Sequence, residues 1–264
     1  MSRTKCWMVL GFCLMVAGSS VHAAGGEARI PVLVELFTSE GCSSCPPADQ
    51  FLAQLVAQNT MAGVEIIAMS EHVDYWNSQG WKDPFSDAQF SRRQEEYARA
   101  LSTSGPYTPE MIVDGHSDFV GSNRGAAVLA LTSAGRKPKA TIEITKVGGS
   151  EERPAVQVRM TPLDGPERNG PFDVYLAVTE NNLSSSVARG ENRGRTLSHA
   201  AVVRKLTLIG RGDGAGAFTA TAVVELDQRW KADNVRLVVF AQSRKTRAIL
   251  GVSAIPLGEA LPVK

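Results

Sequence analysis

Two kinds of hydrophobic spacing divide this chain. Pro31 to Phe37 is an almost unbroken apolar run, the pattern of a strand buried on both faces. Ser43 to Asn59 then repeats Phe51, Leu52, Leu55 and Val56 at helical spacing, and its Pro46 and Pro47 fall in the first turn, where proline is tolerated. Val64–Met69 predicts a second buried strand, followed by a polar and aromatic loop over Glu71–Asp83. Ser86 and Gln89 have the spacing of a capping box, opening a helix that runs to Leu101 on an inner stripe of Phe90, Tyr97, Ala98 and Leu101. Pro109–Val113 predicts a third strand ended by the turn pair Asp114-Gly115, and Phe119-Val120 a short edge strand. Ser122–Ala134 predicts a last helix, with Gly135 placed to stop it. The expected order is β-α-β-α-β-β-α.

Past Gly135-Arg136-Lys137-Pro138-Lys139 the period drops to two. Phe172, Val174, Leu176 and Val178 point one way, while Asp173, Tyr175, Ala177 and Thr179 point the other. Val156, Val158 and Met160 alternate likewise, as do Ala220, Ala222, Val224 and Leu226, then Val235, Leu237 and Val239. Roughly seven such runs separated by Gly, Pro and Asn turns predict an antiparallel β-sandwich-like unit. The expected class is α/β plus all-β, with an α/β domain over 25–137 and a β-rich domain over 138–264.

The first 24 residues are expected to leave. Arg3 and Lys5 precede an apolar run from Cys6 to Ala17 that is short for a membrane span, and Val21-His22-Ala23 offers small residues for cleavage. The expectation is a periplasmic or secreted product with no membrane span. Of 28 Lys and Arg, Arg3 and Lys5 go with the leader, so 26 bases face 27 acids. That balance gives no reason to expect a nucleic-acid partner.

Cys6 and Cys13 also leave, so two of the four cysteines remain, as Gly41-Cys42-Ser43-Ser44-Cys45-Pro46. About 240 mature residues can bury ordinary cores without a staple. Two cysteines three apart at a helix start can close a disulfide, with alpha carbons about 5.5 Å apart. Free N–H groups and the helix dipole favour charge on the first sulfur, and thiol pKa values at such places fall from about 8.5 to between about 3.5 and 7.5. Cys42 is then the exposed nucleophile and Cys45 the resolving thiol. The alternatives are an inert structural disulfide and half of a metal site.

The cysteine motif and its flanks resemble thioredoxin-like proteins over about residues 30–135. A narrower resemblance is to a secreted bacterial family known as domain of unknown function 1223. It is carried by Val34 to Asp49, His72-Val73-Asp74-Tyr75-Trp76, Gly80 to Phe85, Tyr107 to Met111 and Gly190 to His199. The narrower family brings no assigned substrate. The thioredoxin resemblance implies a cis Thr108–Pro109 bond facing the cysteines, with the Thr108 backbone available to an extended substrate. It also suggests Glu35, on the strand leading to the cysteines, as a buried acid relaying protons to Cys45, against a solvated or hydrogen-bonded acid as the plainer reading.

The expected activity is thiol–disulfide exchange on a protein or small-molecule thiol or disulfide, with Cys42, Cys45, Thr108, Pro109 and Glu35 as site residues. No nucleotide, zinc-protease or hydrolase motif is present, and no cofactor or resident metal is expected. One alternative is a Cu(I) module drawing a third ligand from Met69, His72, Met111 or His116. Another is a non-catalytic binding protein with a locked disulfide. His72, Asp74, Tyr75, Trp76 and Trp81 form either a substrate lip or a self-packed loop, and His199 reads as a histidine satisfied at a strand start.

Overall fold

The first strand, β1 (Pro31–Thr38), sits inside a sheet with both faces covered, as its apolar run requires. The computed structural model describes residues 29–162, 170–214 and 216–258. The expected leader therefore lies outside the described residues.

After β1 come α1 (Pro46–Gln58), the two-residue β2 (Thr60–Met61), β3 (Val64–His72), α2 (Ala88–Leu101), β4 (Glu110–Val113), β5 (Ser117–Val120) and α3 (Arg124–Ala134). β1 and β3 are parallel, with Val34 beside Ala68, and β4 returns antiparallel with Leu36 beside Met111. Alternation along β1 sorts its side chains. Val32, Val34 and Leu36 pack with Ala48, Leu52 and Leu55 of α1 and Leu131 of α3. Leu33 and Phe37 face the side covered by Phe90 and Tyr97 of α2.

Three helix starts differ from expectation. α1 begins at Pro46, so Cys42, Ser43 and Ser44 form a turn before it and Cys45 is its N-cap residue. Pro46 and Pro47 have no N–H to close a turn backwards, which pushes the start downstream. α2 is capped by Asp87, whose carboxylate accepts the Gln89 N–H at 2.7 Å, in place of the Ser86 capping box. α3 starts at Arg124, capped by Asn123.

The second half contributes β6 (Ile142–Gly149), β7 (Pro154–Met160), β8 (Phe172–Glu180), β9 (Leu183–Ser186), β10 (Thr196–His199), β11 (Val202–Gly212), β12 (Phe218–Val223), β13 (Val235–Ser243) and β14 (Ile249–Pro256). Four of these join the sheet of the first half. Its main path runs β14-β13-β8-β11-β3-β1-β4-β5, with β2 beside β3. β11 enters parallel to β3 at the pair Val202–Ser70. The sheet thus runs across the 137/138 division. A second layer lies on one face of this extension: Ile142, Ile144, Val156 and Val158 of the separate β6-β7-β12 sheet pack on Val174, Leu176, Val178, Leu237 and Val239. Ala177, Val238 and Phe240 point to the opposite face, toward Phe90 of α2. β9 and β10 form a two-stranded ribbon that stands apart from both sheets.

Candidate functional site at the cysteine turn

The chain leaves β1 at Thr38 and folds back within seven residues. The Cys42 N–H donates to Ser39 O at 3.1 Å and the Cys45 N–H to Cys42 O at 3.2 Å. Cys42 and Cys45 are disulfide-bonded with alpha carbons 5.4 Å apart. The exposure expected of Cys42 is not found: it is 1% exposed and Cys45 0%, while Ser43 and Ser44 lie open to solvent. The cause is tertiary, because two distant segments wall the turn.

One wall is Trp76, from the loop after β3. It packs so closely that a Cβ on Gly41 would lie 3.2 Å from its own Cβ. Its indole N–H donates to Thr108 Oγ1 at 2.8 Å, which ties Thr108 to the cysteine turn. The Thr108–Pro109 bond is cis. Pro109 approaches α1 at Ala48 across Gly121, where an added Cβ would fall 3.1 Å from Ala48 and 3.4 Å from Pro109.

The other wall comes from the loop joining β9 to β10. Asn192, fully buried, donates through Nδ2 to Glu40 O and to Cys42 O, at 2.9 Å each. The Glu191 carboxylate accepts the Ser43 N–H at 2.9 Å. Arg195 holds Asn192 by donating to its Oδ1 at 2.8 Å.

Beneath the turn lies a buried polar cluster. Glu40 accepts from Trp81 Nε1 at 2.7 Å, lies 3.0 Å from His199 Nε2, and bonds Ser185 of the ribbon. Its N–H donates to Asp83 Oδ2, which also meets His72 Nδ1, both at 2.8 Å. The two imidazoles meet edge to face, centroids 4.8 Å apart. Asp49, four residues after Cys45 in α1, accepts from Thr38 Oγ1 at 2.8 Å.

Glu35 is elsewhere. Strand alternation turns it from α1 toward α2, where Arg93 pairs with it at 2.6 Å and Tyr97 donates to its Oε2 at 2.5 Å. The proton relay expected of Glu35 therefore has no geometric basis, since its carboxylate faces the side of the sheet opposite the helix that carries Cys45. Of the ligands considered for Cu(I), Met69 packs with Leu33 and Ile67 on the α2 side, Met111 lies on the α1 side, and His72 is engaged by Asp83. Among the described residues no group of three or more His, Cys, Asp and Glu is arranged to hold a metal ion.

A family model described as protein of unknown function (DUF1223) matches residues 33–242. The chain belongs to the DUF1223 family. No curated protein matches it. Among solved structures it is similar to a structural-genomics crystal structure of a protein from Agrobacterium tumefaciens, at 26% identity and a TM-score of 0.68, covering 90% of this chain and 99% of that one. It is also similar to HBP35 of Porphyromonas gingivalis, at 16% identity and a TM-score of 0.62, covering 90% of this chain and 78% of that one, which is a likeness of fold. Among the described residues no helix is long and apolar enough to cross a membrane.

In this DUF1223 protein the polar cluster has a definite charge logic. Burial pushes the Asp49 carboxyl up, against the pull of His199, His72 and the Thr38 hydroxyl. Burial pulls His72 down, but the Asp83 carboxylate outweighs it and leaves the imidazole above its ordinary value. Asp83 is correspondingly lowered: burial raises it, and His72 with the Glu40 and Phe85 N–H groups overcomes that. Sequence reasoning missed Glu40, Asp49, Asp83, Glu191 and Asn192. Only Asp49 carried a signal, its spacing of one helical turn from Cys45. His199, expected as a satisfied strand histidine, belongs to this cluster through Glu40.

Proposed function

We propose that this protein is a periplasmic or secreted thiol–disulfide oxidoreductase, with a thioredoxin-like arrangement around β1, α1, β3 and β4. The observation that carries the reading is the Cys42–Cys45 disulfide at the junction of β1 and α1. Supporting it are Thr108 and Pro109, drawn to the same turn through Trp76 and Ala48.

A substrate thiolate attacks Cys42 Sγ and forms a mixed disulfide, and the Cys42–Cys45 bond breaks with its electron pair going to Cys45. Asp49, one helical turn past Cys45 and with its carboxyl pushed up by burial, is the acid assigned to give the departing Cys45 sulfur its proton. A second substrate thiolate then attacks the substrate sulfur of the mixed disulfide and releases Cys42. The substrate leaves oxidised by two electrons, and the protein is left with a Cys45 thiol and a Cys42 thiolate, Asp49 regaining its proton from solvent. The reverse sequence reduces a substrate disulfide.

The test is turnover of a model disulfide or dithiol peptide by the full chain. Wild type should turn over and Cys42→Ser should not; equal rates would reject the reading. One observation favours a second reading, a binding protein with a locked crosslink: Cys42 is 1% exposed. The reduction potential separates the two. A locked structural disulfide lies below about −300 mV, and an exchanging one between about −270 and −120 mV.

A further inference from the structure

The stretch from Gly190 to Arg195 closes on itself through backbone hydrogen bonds and turns two side chains, Glu191 and Asn192, onto the cysteine turn. Asn192 holds the carbonyls of Glu40 and Cys42, and Glu191 takes the N–H of Ser43. That N–H is unusually valuable. A helix start normally offers several free N–H groups to a neighbouring anion. Here Pro46 and Pro47 occupy the first two helical positions and have none to give. The Cys45 N–H is spent on Cys42 O. Of the donors beside Cys42, the Ser44 hydroxyl lies 3.3 Å from its Sγ, and the Ser43 N–H is already held by a carboxylate.

A disulfide sulfur carries no charge and tolerates that carboxylate. A Cys42 thiolate would compete with it for the same donor and be repelled by it. We propose that Glu191 and Asn192 are positioning residues of the cysteine pair: with the loop docked they favour the disulfide over the thiolate form. Linkage makes the coupling reciprocal. Reduction weakens the hold of Glu191 on the turn, and Asn192 is then the remaining tie. The loop that buries Cys42 in the oxidised protein is loosened in the reduced one, exposing the nucleophile when it can attack.

The inference rests on the exchange reading only in requiring that the pair be reducible. With a dithiol as reductant the balance is explicit. The dithiol loses two electrons and two protons and closes to its own disulfide. The protein gains both electrons, and one of the protons goes to Cys45. Cys42 stays a thiolate, and the second proton passes to solvent. The other charged groups around the turn are Glu40 before it, Asp49 on α1, His72 on β3, Asp83 before α2, His199 on β10 and Arg195 in the loop. None of these six takes the Ser43 N–H, which goes to Glu191 alone.

The experiment equilibrates the full chain, wild type and Glu191→Gln, with reduced and oxidised dithiothreitol at pH 8, and titrates the thiolate absorbance of each reduced protein. Glu191→Gln keeps an acceptor for Ser43 and removes the charge. The exchange constant should move fivefold to tenfold toward the reduced protein, tenfold being about 30 mV, and the Cys42 pKa should fall. Glu191→Asp should stay near wild type, a result that general loosening of the loop would not give. Asn192→Ala should react with dithiothreitol at least tenfold faster. Because Asn192 is buried and its variant can fail to fold, the exposed Glu191 decides the matter. If Glu191→Gln shifts neither the equilibrium nor the thiolate pKa by more than twofold, the inference is overturned. A protein that shows the shift but turns over no thiol substrate keeps this inference and loses the proposed activity, and the opposite pair of results does the reverse.

Discussion

Glu35 on β1 and Arg93 on α2 form a buried ion pair, 2.6 Å apart, on the side of the sheet away from the cysteines. The guanidinium also donates to Gln242 on β13 at 3.0 Å and to the Tyr97 hydroxyl at 3.0 Å. One cation therefore ties α2, β1 and the second half of the chain. Glu71 shares the site, its carboxyl pushed well up by burial against the pull of Arg93. Removing one partner strands a buried charge, at a cost of about 3–5 kcal/mol. Arg93→Met should lose that much stability in urea unfolding, with the reduction potential of the folded fraction unchanged. A shifted potential would return Glu35 to the cysteine site.

Asp49 is assigned the proton for Cys45. Asp49→Asn keeps the hydrogen bond from Thr38 and removes the transferable proton. Exchange should slow by about 10²-fold, the low end for general acid–base catalysis, with the Cys42 thiolate pKa little changed. A change in stopped-flow exchange rate below twofold would show that solvent supplies the proton.

Glu110 follows Pro109 and faces Gln94, which donates to its Oε2 at 2.6 Å, while its Oε1 is buried without a hydrogen bond. Burial pushes its pKa up to about 7, with Gln94 opposing. A carboxyl raised in the folded state contributes stability below its unfolded value of about 4.5, and that stability is lost as pH rises toward about 7. The loss through this group is on the order of 1–3 kcal/mol. Glu110→Gln should flatten the dependence, so that its urea midpoint gains on wild type between pH 5 and pH 8. Parallel curves for the two proteins would contradict the assignment.

Gly115, between β4 and β5, has φ of +67°, and a Cβ there would lie 2.0 Å from the Arg247 carbonyl. This is where the first hairpin touches the turn between β13 and β14. Gly115→Ala combines a left-handed backbone with a collision against main chain, and should cost about 2 kcal/mol or more by thermal or urea unfolding. A neutral substitution would mean that the two turns are not in contact in solution.

The alternation of Phe172, Val174, Leu176 and Val178 against Asp173, Tyr175, Ala177 and Thr179 was readable because strand period is local chemistry, and the two sets do face different cores. The same reasoning located β1, β3 and β4 from their apolar runs, and the cysteine pair at a strand-to-helix junction. It could not foresee that β11 would pair with β3, since a single register pair, Val202 with Ser70, joins segments more than a hundred residues apart. Parity along β1 was also present in the chain, yet which face would receive α1 was not, so the sequence left open that Glu35 faces α2.

What the amino-acid order determined by itself is whatever depends on near neighbours: the strands, the helices within a few residues of their ends, and two thiols close enough to bond. What only the tertiary structure decided is the setting of those thiols. Asn192 and Glu191 reach Cys42 and Ser43 across about 150 positions, and hydrogen bonds made over that distance leave no periodic trace, because they depend on where the ribbon docks. Burial of Cys42, the carboxylate already on the Ser43 N–H, and the acid one turn past Cys45 all follow from that docking and from the packing of α1 on the sheet.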